Sequence, residues 1–359
     1  MQNSEPRILS AAQAIREATD QAMVDDQRVI IIGEGVPDPK GIFGTTLALR
    51  ETFGSERVWD MPVSENALTG ICIGAAISGM RPILTHQRAD FALLSLDQIM
   101  NNAAKWHYMF GGQVSVPLVI RMVVGHGWGQ GTQHSQHLQA LFAHIPGLKV
   151  VMPASPYDAK GLLLSAIHDN NPVIFLEHRW IHGLKGEVPQ EMYRIPIGKA
   201  RHWHTGDAIT IVSSGYMTVE ALRASNLLEQ VGIGVDLIDL RSIKPWDKSA
   251  VLASVEKTKR LLVVDGASPT AGMASEIVSA VAQAKYAGLT SAPATITFPD
   301  VPSPSAPALT RTYYPTYQQI GERVVSMLGR DMQLFEKIWQ PQAISVPHDV
   351  PDASFSGPF

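Results

Sequence analysis

The sequence Val29-Ile30-Ile31-Ile32-Gly33 is an uninterrupted apolar run that ends at a glycine. A short run of β-branched residues without polar alternation is typical of a strand buried on both faces of a sheet. Further apolar runs lie at 82–85, 116–122, 149–152 and 172–176, and helical periodicity separates them at 67–78, 94–106, 138–143 and 158–167. Strands that alternate with helices predict an α/β fold with a doubly wound parallel sheet covered on both faces.

A second alternation of the same kind occupies the rest of the chain. Predicted strands lie at 208–213, 235–239, 260–264 and 294–298, with helices at 218–228, 248–255, 274–284 and 317–328. The polar stretch between the two alternations predicts a linker, and the proline-containing end predicts an extended or disordered tail. The predicted organisation is a first domain over 1–186, a linker over 187–204, a smaller α/β domain over 205–330 and a tail over 331–359.

The composition restricts the class of protein. The 359 residues are 45% hydrophobic and 17% charged, with a net charge of −4, which is typical of a globular chain. The sequence has no run of Lys and Arg, so we expect neither a nucleic-acid partner nor a membrane partner. Cys72 is the only cysteine, which excludes an internal disulfide and favours a reducing, cytoplasmic location.

The common catalytic signatures do not occur in the sequence. It has no G-x-x-x-x-G-K-[ST] phosphate loop, no dinucleotide-binding G-x-G-x-x-G, no H-E-x-x-H and no G-x-S-x-G. A glycine cluster at 125–131 follows a predicted strand but lacks the spacing of a nucleotide-binding loop. We interpret it as a mobile loop rather than as a phosphate cradle.

Two short motifs carry side chains suited to proton transfer. Glu65 follows Ser64 at a loop-to-helix junction, where Ser64 as a helix cap and Glu65 in the first turn is a simpler interpretation than catalysis. His134 and His137 follow the glycine cluster, and loop histidines titrate near neutral pH. Such histidines are more often surface residues than catalytic ones.

Two other segments carry groups suited to binding. Residues 87–91 follow a strand end, where ligands collect in open α/β sheets, although an ordinary loop is an equal alternative. The polar turn at 166–171 offers carbonyl oxygens to a cation, but by itself a plain helix stop is the simpler interpretation.

Longer motifs occur in a fixed order along the chain. They begin with Gly33-Glu34 and Met61-Pro62-Val63-Ser64-Glu65, and continue through 97–105, 116–121, 133–136, 142–151, 156–163, 238–241 and 299–302. In this order they resemble the beta subunit of the heterotetrameric, thiamine-diphosphate-dependent 2-oxo acid dehydrogenases, the decarboxylating component of the pyruvate and branched-chain complexes. The resemblance covers residues 7–329. It implies a transketolase-like pyrimidine-binding domain followed by a transketolase C-terminal-like domain.

The resemblance implies roles for five residues. Glu65 corresponds to the family's activating glutamate, which hydrogen-bonds the aminopyrimidine ring of thiamine diphosphate and acts as an acid/base partner. Val63, Gln87 and Phe91 correspond to positions that contact the same ring. His134 corresponds to an active-site loop histidine that assists acyl transfer to a lipoyl group.

The resemblance also implies ions and partners. A structural potassium site in relatives uses oxygens that correspond to Leu118, Ala166, Ile167, Asp169 and Asn171. The Gly-Asp-Gly segment that holds magnesium and the cofactor's diphosphate in the family has no counterpart in this sequence. The implied active site is therefore shared with an alpha subunit, and a second beta subunit and a lipoyl acyltransferase are further implied partners.

Some residues depart from the family pattern. His86 and Arg88 occupy positions that are apolar or aromatic in relatives, so we expect cationic groups near the pocket and an anionic or polyhydroxylated donor. The alternative function is the pyrimidine-binding half of a split transketolase-like or acyloin-forming enzyme, which passes the fragment to an aldehyde. A non-catalytic scaffold is a third hypothesis, against which the presence of Glu65 and His134 argues.

Overall fold

The computed structural model describes residues 6–126 and 130–338. The strands are β1 (Ile8–Ser10), β2 (Val29–Gly33), β3 (Val58–Trp59), β4 (Arg81–His86), β5 (Val119–Val124), β6 (Lys149–Val151), β7 (Val173–His178), β8 (Lys185–Glu187), β9 (Arg201–His204), β10 (Ile209–Ser213), β11 (Val235–Asp239), β12 (Ser242–Lys244), β13 (Leu261–Asp265) and β14 (Ala294–Thr297). The α-helices are α1 (Ala11–Asp25), α2 (Leu49–Phe53), α3 (Glu65–Ile77), α4 (Ala89–Ala92), α5 (Ala104–Met109), α6 (Gln139–His144), α7 (Pro156–Ile167), α8 (Tyr216–Gln230), α9 (Lys248–Thr258), α10 (Met273–Lys285), α11 (Pro307–Tyr313), α12 (Tyr317–Met327) and α13 (Met332–Glu336).

The first half of the chain forms the larger sheet. Its seven strands have the order β12-β6-β7-β5-β4-β2-β3, and every neighbouring pair is parallel except β12 with β6. Every residue of β2, β5 and β7 is buried, as the apolar runs predict. The α/β fold class is therefore confirmed. The strand β12 comes from the second half of the chain and joins this first sheet.

The second half forms a five-stranded sheet with the order β14-β13-β10-β11-β9. The four strands β14, β13, β10 and β11 are parallel, and β9 adds to the edge in the antiparallel direction. The strands β1 and β8 form a separate antiparallel pair. This pair places the segment before α1 against the end of the first half of the chain. None of the helices in the described segments is long and apolar enough to cross a membrane.

Two segments differ from the predicted boundaries. Arg201–His204 lie in the predicted linker but form the strand β9, which the polar residues of this stretch conceal in the sequence. The helix α13 lies at the start of the predicted tail because Phe335 is buried, with its ring packed so tightly on Gly321 that a Cβ there would clash. Residues 339–359 of the predicted tail lie outside the described residues.

The predicted helix over 94–106 is divided in the structure. A 3₁₀ turn (Leu93–Ser95) and a π-helix (Gln98–Ala103) precede α5. The side chain of Asn101 donates to Asp97, and that of Asn102 donates to Gln98, so polar contacts accompany the widened turn. A π-helix cannot be distinguished from an α-helix by apolar periodicity, since both place apolar residues on one face.

Candidate active site

Three parallel strands, β2, β4 and β5, end at the same edge of the larger sheet. The register pairs Gly33 with Thr85, and His86 with Met122. The residues that follow these strands therefore meet, and the side-chain amide of Gln87 donates to the main-chain oxygen of Glu34 at 3.1 Å. This edge is the place where open α/β sheets bind ligands.

Glu65 is the first residue of α3, and the residue is only 6% exposed. Ser64 precedes it at the N-cap position, but the serine side chain makes no cap hydrogen bond, so this part of the simpler interpretation is wrong. Within residues 6–126 and 130–338, the Glu65 carboxylate has no hydrogen-bond or ion-pair partner. Burial of an unpaired carboxylate is costly, although the N-terminus of α3 favours a negative charge.

Glu34, which the motif Gly33-Glu34 contains, directly follows β2 and is a further residue of the site. Burial raises the pKa of Glu34, and the negative charges of Glu65 and Asp60 raise it further. Asp60 is held in place because one of its oxygens accepts from the main-chain nitrogens of Gly35 and Met61, both at 3.0 Å. An acidic residue directly after a buried strand is the signal that could have identified Glu34. The edge thus holds Glu34, a carboxyl group whose pKa is raised, close to Glu65 and Asp60.

The structure brings Phe91 and His134 together. Phe91 lies on α4, and His134 ends a 3₁₀ turn over Thr132–His134. The edge of one ring meets the face of the other, with ring centroids 5.4 Å apart and an interplanar angle of 89°. Two residues beyond His134, the side chain of Gln136 donates to Asp90 at 2.8 Å. Residues 127–129 of the predicted glycine loop lie outside the described residues.

The structure separates His137 from His134. The His137 ring packs against His178, with centroids 5.1 Å apart, and against Phe298 at 4.9 Å. Burial lowers the pKa of His137 to about 3, so this imidazole is neutral near pH 7. Val63, by contrast, is 72% exposed at the surface that precedes Glu65.

His86 and Arg88, which differ from the family pattern, lie in the interior of the fold. Both side chains are buried, and burial lowers the pKa of His86 to about 4. Arg88 donates to the main-chain oxygen of Gly125 at 2.9 Å, and its guanidinium lies 5.4 Å from the centre of the Phe43 ring. Both groups therefore lie in the interior of the fold next to the candidate site, and the anionic or polyhydroxylated donor stays a prediction.

The five residues of the predicted potassium set lie around the turn between α7 and β7 and at the start of β5. The side-chain oxygen of Asn171 is buried without a hydrogen-bond partner within the described parts of the chain. The main-chain oxygens of Ile167 and Asp169 each accept from Arg81 at 3.0 Å. The carboxylate of Asp169 also accepts from Lys149 at 2.5 Å. Arg81 and Lys149 therefore already bind oxygen atoms of this turn. The potassium site stays a prediction.

Known proteins match both halves of the chain. The model of the transketolase pyrimidine-binding domain matches residues 8–181, and that of the transketolase C-terminal domain matches residues 198–320. A split-gene transketolase structure, described as an inactive beta4 tetramer, has a TM-score of 0.73 at 21% identity, over 89% of this chain and 98% of that one. This structural similarity supports the fold alone.

Relatives at higher identity carry functional names. The acetoin:2,6-dichlorophenolindophenol oxidoreductase subunit beta of Cupriavidus necator is 46% identical over 88% of this chain and 96% of its own length. The pyruvate dehydrogenase E1 component subunit beta of Rhizobium meliloti is 40% identical over 89% of this chain and 70% of its own. The 2-oxoisovalerate dehydrogenase subunit beta of Bacillus subtilis is 40% identical over 85% of this chain and 94% of its own length. The chain therefore belongs to the transketolase-like family of thiamine-dependent dehydrogenase beta subunits, the family that its motifs predict.

Proposed function

We propose that this chain is the beta subunit of a thiamine-diphosphate-dependent 2-oxo acid dehydrogenase. The complex would decarboxylate a 2-oxo acid and transfer the acyl group to a lipoyl disulfide, which is reduced in the same reaction. The observation that carries this proposal is the Glu65 carboxylate, which is buried, has no partner in the described chain and lies near Glu34 at the ligand-binding edge of the sheet.

The residues at this edge suit the pyrimidine half of the cofactor. Thiamine diphosphate, when bound, supplies the carbanion chemistry. Glu65 would hold a proton at the ring nitrogen of the aminopyrimidine, and its lack of a competing partner leaves it available for that hydrogen bond. Phe91 would offer a ring face, while Gln87 and Val63 would contact the rim of the same ring. His134 would move a proton during acyl transfer, with its ring oriented by Phe91.

The proposed site is incomplete within this chain. The sequence lacks a Gly-Asp-Gly segment, so an alpha subunit would hold magnesium and the diphosphate. The 72% exposure of Val63 is consistent with a surface that this subunit covers. A second beta subunit and a lipoyl acyltransferase complete the proposed assembly. Cys72 is the only cysteine of the sequence and is buried, so we propose a reducing, cytoplasmic location.

The proposed potassium site is the turn between α7 and β7. The unpartnered oxygen of Asn171 favours a cation, and the contacts of Arg81 compete with it. A rise of the melting temperature in potassium chloride, compared with sodium chloride at equal ionic strength, would support the site. Equal melting temperatures in the two salts would exclude a stabilising potassium ion.

A cofactor titration tests the shared site. Thiamine diphosphate and magnesium are titrated by calorimetry into the chain alone and into the chain co-expressed with an alpha subunit that carries Gly-Asp-Gly. We expect tight binding only in the co-expressed sample. Tight binding by the chain alone would contradict the shared site, and the absence of binding in a complex that demonstrably forms would favour the scaffold hypothesis.

A second candidate function is the cleavage or formation of an acyloin, and the acetoin-specific name of the 46% identical relative favours it. The assembled complex is assayed with pyruvate, 3-methyl-2-oxobutanoate and acetoin, with 2,6-dichlorophenolindophenol as electron acceptor. Turnover of a 2-oxo acid, and transfer of its acyl group to lipoamide, is the expected result. Turnover of acetoin alone would establish the second candidate.

A further inference from the structure

A cleft of about 530 Å³ lies where the start of α7, the strands β8 and β9 and the helix α8 meet. This volume is in the range of sites for small organic ligands. Aromatic and apolar side chains form much of its wall, and the residues that matter for its chemistry are Tyr157, Leu184, Lys185, Arg201, Trp203 and Leu222.

The cleft is separate from the candidate active site. The helix α7 follows β6, and β6 is separated by β7 from the strand β5 that leads to the candidate site. No residue that lines the cleft belongs to the proposed cofactor site. Both α7 and α8 begin after a parallel strand of their own sheet, so the cleft lies at carboxyl ends of two sheets, where α/β proteins bind ligands.

Arg201 gives the cleft its electrostatic character. Its guanidinium stacks on the Trp203 ring at 3.7 Å from the ring centre, which fixes the charged group against an aromatic wall. It makes one hydrogen bond, of 3.3 Å, to Asp158. The same Asp158 forms a shorter ion pair with Arg241 at 2.6 Å and accepts from Ser155 at 2.5 Å. The charge of Arg201 is therefore only partly balanced.

Lys185 adds a second cation on the rim. Its side chain is exposed, and among residues 6–126 and 130–338 no acceptor binds its ammonium group. Glu187 is the one acidic residue among those that line the cleft, against two basic residues. The cleft thus combines a planar aromatic wall, an apolar floor and an excess of hydrogen-bond donors with positive charge.

We propose that this cleft is a second ligand site, which binds a small aromatic monoanion. The ring would lie against Trp203, Tyr157 and Leu222, and the anionic group would accept hydrogen bonds from Arg201 and Lys185. A charged acceptor suits these groups because hydrogen bonds between ions are roughly twice as strong as neutral ones.

Two probes with the same rings test the proposal on the full chain. The probe 8-anilinonaphthalene-1-sulfonate is an aromatic monoanion, and N-phenyl-1-naphthylamine is its neutral counterpart. Calorimetric titration should show saturable binding of the sulfonate, tighter than that of the neutral probe. Trp203→Ala should lower the affinity for both probes about tenfold, and Trp203→Phe should retain most of the parent affinity.

Charge variants separate the ionic contribution from the apolar one. Lys185→Gln and Arg201→Gln should each lower the affinity for the sulfonate severalfold to about tenfold. Neither should change the affinity for the neutral probe. Lys248→Gln is the matched control, since Lys248 is also an exposed lysine and lies outside the cleft. Because Lys185 is exposed, its variant should fold even if the Arg201 variant does not. Absence of binding, or sulfonate binding that Trp203→Ala and Lys185→Gln leave unchanged, would overturn the proposal.

Discussion

Glu65 differs from Asp158 and Glu177, two other buried acidic residues, because no side chain of the described structure binds its carboxylate. Asp158 has Arg241, and Glu177 has Arg121 as its partner. Natural proteins rarely leave a buried charge without a partner unless a ligand or a reaction uses it. At the scale of the residue, an unpaired carboxylate at the ligand-binding edge of the sheet is the observation that supports a catalytic role.

Glu65→Gln should lower kcat of the assembled complex about 100-fold or more, because a general acid or base commonly contributes 10²–10⁴ to the rate. The variant should melt no lower than the parent chain, since it removes an unpaired buried charge. Glu56→Gln is the matched control, because Glu56 is exposed on a surface turn. The assay compares kcat and melting temperature for the three proteins, and an active Glu65→Gln complex would remove Glu65 from the mechanism.

Asp90 and Gln136 connect the two segments that carry Phe91 and His134. Asp90→Ala removes the acceptor, so the His134 segment should lose its fixed position on α4. We expect kcat to fall about tenfold, with little change in cofactor affinity. Asp90→Asn retains an oxygen that can accept from Gln136, and it should recover most of the activity.

The pH profile of kcat distinguishes this positioning role from a general loss of stability. If the contact orients His134, Asp90→Ala should alter the shape of the kcat profile, and Asp90→Asn should not. A uniform loss of kcat across the profile, together with a lower melting temperature in both variants, would show that Asp90 serves only the fold.

At the scale of the elements, β5 and β7 share a buried ion pair. Arg121 and Glu177 are fully buried and lie 2.6 Å apart, and His182 contacts the second carboxylate oxygen at 3.0 Å. Burial by itself would raise the pKa of Glu177, but the charge of Arg121 and the hydrogen bond of His182 lower it to about 2. The pair fixes the two strands at the level of the ligand-binding edge.

Glu177→Gln should destabilise the chain by about 3–5 kcal/mol at pH 7, because it leaves the Arg121 charge buried without a counterion. The lowered pKa means that this contribution is complete above about pH 4.5 and is lost as the pH falls towards 2. The difference between the urea midpoints of the parent and the variant should therefore be constant from pH 7 to about 4.5 and should narrow from there to pH 3. Glu51→Gln, at an exposed position, should follow the parent chain throughout.

The sequence predicts the central strands of both sheets because each is an apolar run of the right length. It does not predict β3, β9 or β12, which are short or polar and are ordered by their partners. The pairing of β12 with β6 joins residues far apart in the chain. Local periodicity contains no information on such a contact, and the same limit applies to α13, whose burial depends on Gly321.

At the scale of the whole molecule, only part of the candidate site could be predicted from the sequence. Glu65, Gln87 and Phe91 could be identified from motifs and strand ends. The resemblance of these motifs to a known family implied the roles of the three residues. Glu34 became visible only when the register of β2 and β4 placed it beside Gln87. The interior position of Arg88 likewise depends on Phe43 and Gly125, which lie far from it in the chain.

The two halves of the chain are connected through β12, which places residues of the second half in the first sheet. Lys244 at its end donates to the main-chain oxygens of Ala143 and Ile145, at 2.7 and 3.0 Å. Gln139 in the first half also donates to Asp265 in the second, at 2.9 Å and in a buried position. We therefore expect the two halves to unfold as one cooperative unit, with a single transition in differential scanning calorimetry.

Lys244→Met tests this coupling, because it removes both hydrogen bonds and keeps most of the apolar stem of the side chain. The loss should cost about 1–3 kcal/mol, as expected for hydrogen bonds from a charged group. Lys248→Met, at an exposed lysine four residues further on, is the control and should leave the transition unchanged. If the transition of Lys244→Met divides into two, β12 is the main connection between the halves. Two transitions in the parent chain would show instead that each half unfolds independently, and the contacts of β12 would then be too weak to couple them.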